Sequence, residues 1–270
     1  MGVNVDSMVL ELSRKCNMRC EHCLRGDAQE RSMSDEVMER VCGMFDDVSA
    51  LTIGGGEPSL MRKEIDRFLM ASYRGKMSWE SAYIVTNGKW ITEDVMRHFW
   101  RFFHMAEDGE CSGLGFSYDK WHSDQLTLSQ QRRRDLNMER AHDFFMLEGN
   151  YMNEFLDEYG EPKVTKHSDL EWTDKPLLCM GRAEENGIGV RFESRYGFDI
   201  DSDDDREEVR ISENSLYITY DGKIFSSCNL SYEEMDLGRE SEWYVTDLMK
   251  LNGSDELVDE IVRYNITIEE

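Results

Sequence analysis

Hydrophobic and polar positions switch between two periods along the first half of this chain. Val5–Leu12 reads as a strand. In Asp35–Phe45, Val37, Met38, Val41 and Met44–Phe45 recur at helical spacing behind Ser34, a residue suited to cap a helix N-terminus. Leu51–Ile53 reads as a strand and Arg62–Tyr73 as a helix. Ala82–Val85 is a further strand, and Thr92–His104 a helix whose Thr92-x-x-Val95 start lacks the usual acid three residues after the cap. Gly113–Ser117 is the next strand, before a long helix from about Ser129 to Leu147. Strands that alternate with helices predict an α/β fold of parallel strands joined by helical crossovers.

Past residue 150 the pattern weakens. Asp199 to Glu208 is rich in acids and reads as a solvated linker; it lacks the central glycine and closing glutamate of a calcium loop. Leu216–Thr219 and Lys223–Ser227 flank Tyr220-Asp221-Gly222 and predict a hairpin with an Asp-Gly turn. Glu256–Tyr264, with Leu257, Ile261 and Val262 placed on one side, predicts a packed terminal helix. The expected division is a core over 1–195 and an acidic linker with a small extension over 196–270.

Composition narrows the function classes. With 270 residues and 40% hydrophobic positions the chain can bury a real core. A net charge of −25 argues against nucleic acid, because phosphate contacts need Lys and Arg. No apolar run approaches the roughly 20 residues that cross a bilayer, so no membrane association is expected. The first residues show no basic segment followed by an apolar stretch, and the location expected is cytoplasmic.

The candidate chemistry lies in the cysteines. Cys16, Cys20 and Cys23 stand in a C-x3-C-x2-C loop. Cubane iron–sulfur clusters usually take four thiolates, so a loop with three leaves one iron open to an outside ligand. A zinc site is the alternative, and it makes the chain a non-catalytic zinc- or cluster-binding interaction protein. His22 could complete such a site on paper, but it sits directly beside Cys23 in the same tight loop. Of the other cysteines, Cys42 reads as a buried inert thiol in an amphipathic helix and Cys111 carries no signal.

Three further segments follow the triplet in order: Leu51-Thr52-Ile53-Gly54-Gly55-Gly56-Glu57-Pro58, Thr86-Asn87-Gly88, and Gly115-Phe116-Ser117-Tyr118-Asp119. With them the chain resembles the radical S-adenosylmethionine (SAM) superfamily over about residues 5–125. The resemblance implies a partial (β/α)6 TIM-like barrel with its site at the C-terminal ends of the strands. It implies an oxidoreductase-type enzyme that cleaves SAM to a 5′-deoxyadenosyl radical and abstracts hydrogen from a peptide, a protein side chain or a small metabolite. On these residues, it implies a [4Fe-4S] cluster on Cys16, Cys20 and Cys23, with SAM against Gly55, Gly56, Glu57, Thr86, Asn87, Ser117 and Asp119. His22 stands where the family usually has an aromatic residue.

His122 and Cys228 are the candidate catalytic residues, and Arg182 is a candidate for a substrate or SAM carboxylate. The C-terminal region loosely resembles a shortened form of the extension of peptide-modifying members. Two isolated thiols, Cys179 and Cys228, cannot hold an auxiliary cluster, so one cluster is expected. The expected electron donor is a flavodoxin or ferredoxin, itself acidic. Arg14, Lys15, Arg19 and Arg25 around the cysteine loop are the expected docking patch.

Overall fold

A computed structural model of the chain describes residues 2–153, 160–167, 180–190, 195–202 and 207–269. The first half runs β1 (Gly2–Ser13), α1 (Asp35–Met44), β2 (Asp47–Gly55), α2 (Arg62–Gly75), β3 (Ser78–Thr86), α3 (Glu93–His104), β4 (Gly113–Ser117), α4 (Lys120–Asp124), α5 (Leu128–Asn153) and β5 (Lys163–His167). Strands β1 to β5 are parallel and lie side by side in chain order, as helical crossovers require. Ser34 and Thr92 cap α1 and α3 by accepting the Val37 and Val95 amides. Behind the sheet, Phe68 of α2, Trp79 of β3 and Phe102 of α3 stack, with Trp79 5.6 Å from each neighbour's ring centre. All three rings are fully buried, and so anchor the helical layer to the strands.

The second half adds α6 (Arg182–Glu185), β6 (Asp199–Ser202), β7 (Glu208–Ser212), β8 (Leu216–Ile218), β9 (Lys223–Phe225), α7 (Tyr232–Leu237), β10 (Tyr244–Asp247) and α8 (Ser254–Glu269). The free edge of β1 carries two partners in succession, β7 along its start and β8 along its end, both parallel to it. Strands β9 and β10 continue antiparallel from β8, so the C-terminal region extends the core sheet. The sheet stays open at β10 and β5, a mostly parallel partial barrel of which β1–β5 are the barrel strands among the described residues. No helix among the described residues is long and apolar enough to cross a membrane.

Two expectations change here. The acidic stretch is not a bare linker: β6 and β7 pair antiparallel, Asp199 with Ser212 through Ser202 with Val209. Residues 203–206, and Cys179, lie outside the described residues. On α8 the buried stripe is Leu257, Ile261 and Tyr264, while Val262 is exposed, because adjacent helical positions point about 100° apart.

Candidate active site

Every sequence-predicted motif sits at the C-terminal end of a parallel strand. β1 ends in the cysteine loop, β2 in Gly55-Gly56-Glu57, β3 in Thr86-Asn87-Gly88 and β4 in Ser117, just before Asp119. The cysteine loop is closed at its stem by main-chain bonds, Arg14 N to Arg31 O at 3.0 Å and Gln29 N to Arg14 O at 3.1 Å. The second and third glycines of β2's end are needed by that stem. A Cβ on Gly55 would lie 2.2 Å from Ser13 O, and one on Gly56 2.0 Å from Lys15 O. Their tight approach lets the Gly56 and Glu57 amides donate to Ser13 O and Lys15 O at 2.8 and 2.7 Å.

Glu57 is buried and fully engaged. Its carboxylate accepts the Thr86 hydroxyl and the Ser59 and Asn87 amides, which ties the end of β2 to the end of β3. Asn87 Nδ2 reaches on to Asn17 Oδ1 at 2.9 Å, next to Cys16. Asp119 caps α4 through the His122 amide at 2.8 Å and accepts the His122 ring at Nδ1. Burial works to raise the Asp119 carboxyl, but the His122 ring and amide and nearby His22 outweigh it and hold it at about 2. The imidazole of His22 packs edge-on to His122, with ring centres 4.8 Å apart, and stacks on Trp121.

These strand ends border one cavity of about 630 Å³. Cys16, Cys20, Cys23, Gly55, Gly56, Glu57, Asn87, Ser117 and His122 line it; Thr86 and Asp119 do not. Met18 and Leu126 pack around the three thiols, and burial, then the Glu57 charge, pushes the Cys16 thiol up to about 12. Three thiols from one loop on one cavity are a donor set that suits an iron–sulfur cluster. The opposite wall comes from the C-terminal half: Arg182, Cys228, Asn229 and Tyr232. The buried Tyr232 hydroxyl has no hydrogen-bond partner among the described residues, which fits a polar ligand in the cavity.

Residues 10–108 match the family model described as "Radical SAM superfamily". The chain carries a radical SAM domain. The cofactors of that family are a [4Fe-4S] cluster and SAM. No curated protein matches the sequence. Among solved structures it is similar to "native anSMEcpe with bound AdoMet and Cp18Cys peptide", at 14% identity and TM-score 0.49, covering 99% of this chain and 82% of that one. It is also similar to "BtrN in complex with AdoMet and 2-DOIA", at 12% identity and TM-score 0.44, covering 100% and 88%. A third is Streptococcus suis SuiB bound to precursor peptide SuiA, at 11% identity and TM-score 0.36, covering 85% of this chain and 60% of that one.

Two sequence readings are corrected by the site itself. The expected docking patch around the cysteine loop is reduced to Lys15 and Arg19, which stay at the surface beside Glu30 and Asp27. Arg14 is 1% exposed, held by Glu11 at 2.7 Å and Asp236 at 2.6 Å beneath the Tyr220 and Tyr232 rings. Arg25 donates to the Leu230 and Cys228 carbonyls over the Tyr217 ring, and Arg19 pairs with Asp27. Arg182, which lines the cavity, donates Nε to Cys20 O at 2.9 Å and Nη1 to Asp27 at 2.7 Å, so it braces the loop. His22 is not too close to Cys23 to meet a metal with other partners. Its ring nitrogen, the Cys20 thiol and a His122 nitrogen lie within 4.8 Å of one another. Sequence reasoning missed Tyr232, Asn229 and Glu11. Arg14 and Tyr217 both bind Glu11, and no local motif marks it.

Proposed function

We propose that this chain cleaves SAM reductively and removes a hydrogen atom from a peptide, a protein side chain or a small metabolite. Cys16, Cys20 and Cys23 are the proposed cluster ligands. The proposed SAM residues are Gly55, Gly56, Glu57, Thr86 and Asn87, with Ser117 and Asp119. The observation that carries this reading is the meeting of four strand-end motifs, the three thiols among them, around one cavity of about 630 Å³, within the usual range for small-ligand sites. When bound, the cluster and SAM supply one-electron cleavage of a carbon–sulfur bond and hydrogen abstraction.

The protein's own residues bind, orient and shield. Met18 and Leu126 keep water from Cys20. Glu57 holds the glycine turn and the Asn87 amide in one arrangement. Asp119 sets the orientation of His122, which with Cys228 remains the candidate for contact with substrate. Residues 1–195 are the proposed catalytic core, and 196–270 an extension that closes the cavity with Cys228, Asn229 and Tyr232. The electron comes from a flavodoxin or ferredoxin, in a reducing cytoplasmic setting that keeps the thiols available for iron.

The grouping of Cys20, His22 and His122 favours a second reading, zinc held without turnover. Anaerobic reconstitution separates the two. The enzyme binds about four irons per chain, loses them in Cys16→Ala, and releases 5′-deoxyadenosine from SAM under dithionite. A colourless protein with one tight zinc, lost in His122→Ala but kept in Cys16→Ala, supports the second.

A further inference from the structure

An electron must reach the cysteine loop from outside, if the proposed function holds. A chain of net charge −25 repels an acidic carrier unless one face is locally positive. Of the cysteine-loop cations, Arg14 and Arg25 are turned inward, and Lys15 and Arg19 each face a surface carboxylate, Glu30 and Asp27. A different surface keeps its charge. Between the turn after β3 and the first half of α5 lies a cleft of about 510 Å³, lined by Lys89, Arg132, Arg133 and Arg140 and by no Asp or Glu among the described residues. The three arginines are exposed and make no ion pair with another described residue. Of the carboxylates nearby, Glu93 pairs with Arg97, Asp94 with Arg62 and Asp135 with Tyr118, while Glu139 is exposed on α5 beside Arg140.

The centre of this cleft is apolar. Trp90 is 63% exposed and Leu136 44% exposed. Tryptophan and arginine together are the residues that most often dominate protein–protein binding energy. The cleft is also wired to the site. Lys89 Nζ donates to Asn17 O at 3.0 Å, one residue from Cys16, and Asn137 Nδ2 donates to Gly88 O at 3.2 Å, which fixes α5 to the same turn.

We propose that this cleft is the docking site of a small acidic one-electron carrier protein. The carrier is oxidised by one electron at the interface and the cluster is reduced by one, with no bond made or broken there. The positive rim steers the carrier, Trp90 and Leu136 anchor it, and the Lys89–Asn17 contact places it beside the first cluster ligand.

The experiment uses the reconstituted full chain, a purified acidic flavodoxin, and the triple variant Arg132→Glu/Arg133→Glu/Arg140→Glu. Two quantities are read: flavodoxin binding by titration, and 5′-deoxyadenosine formed under reduced flavodoxin or under dithionite. The triple variant should lose flavodoxin binding and slow the flavodoxin-driven reaction by about 10- to 1,000-fold at low ionic strength, with the gap closing as salt is added. Its dithionite-driven rate should match the wild type, and Trp90→Ala should weaken binding without changing the salt dependence.

Unchanged binding and unchanged flavodoxin-driven rate in the triple variant would overturn the proposal. So would wild-type chain that ignores flavodoxin, that binds polyglutamate equally well, or that dimerises through this face. If dithionite itself releases no 5′-deoxyadenosine from wild type, the proposed function fails, while the binding titration still judges the docking surface.

Discussion

Two groups of arginines in this molecule look alike in sequence and behave oppositely in the fold. Those near the cysteine loop, Arg14, Arg25 and Arg182, are turned to internal acceptors: carboxylates, main-chain carbonyls and tyrosine rings. Those on α5, Arg132, Arg133 and Arg140, are exposed without ionic partners among the described residues. The first group is structural, since it sews the C-terminal half onto the loop that carries the thiols. The second is free to act on other molecules. A basic stretch therefore says little about docking until its partners are known.

The sharpest way to break this contrast is Arg14→Met. It leaves the fully buried Glu11 with the Tyr217 hydroxyl and the Tyr220 amide but without its paired cation, and should cost about 3–5 kcal/mol in urea unfolding. A cost below about 1 kcal/mol would place Arg14 with the surface group. Next, Arg182→Ala removes the bonds to Cys20 O and Asp27 and should cost about 1.5–3 kcal/mol, the range for bonds to a charged donor. Iron retention after desalting should fall with it, because the loop loses its brace.

Tyr232→Phe tests the cavity wall between the two groups. Its hydroxyl has no partner among the described residues, so thermal stability should hold or rise slightly, while SAM or substrate affinity drops by about 0.5–1.5 kcal/mol if that hydroxyl meets a ligand. The smallest effect on folding belongs to the outer group. Arg132→Ala/Arg133→Ala should stay within about 0.5 kcal/mol of wild type per site in the same urea assay. A larger loss would mean that these side chains support α5 after all.

How much was legible beforehand follows the range of each interaction. Ser34, Thr92 and Asp221-Gly222 act on neighbours a few residues away, and the helices and hairpin they predict are present. Strands β1 to β3 came out longer than read, as with β2, which spans Asp47–Gly55 where only Leu51–Ile53 stood out, while β8 and β9 came out shorter. Polar positions such as Asp47 and Ser49 join the ladder because β1 and β3 are already alongside. β6 was missed for a related reason: Asp199–Ser202 is mostly exposed and has no apolar face, and only its pairing with β7 makes it a strand.

Spacing alone determined the thiol triplet, the glycine turn and the order of strand-end motifs, because each is set by chemistry within a dozen residues. The tertiary structure decided the rest: that Arg14 finds Asp236 across 222 positions, that Tyr232 and Cys228 wall the cavity, and that Arg182 reaches Cys20 O across 162. A guanidinium or a carboxylate is satisfied by whichever partner the fold brings within about 3 Å, and chain distance does not enter that selection.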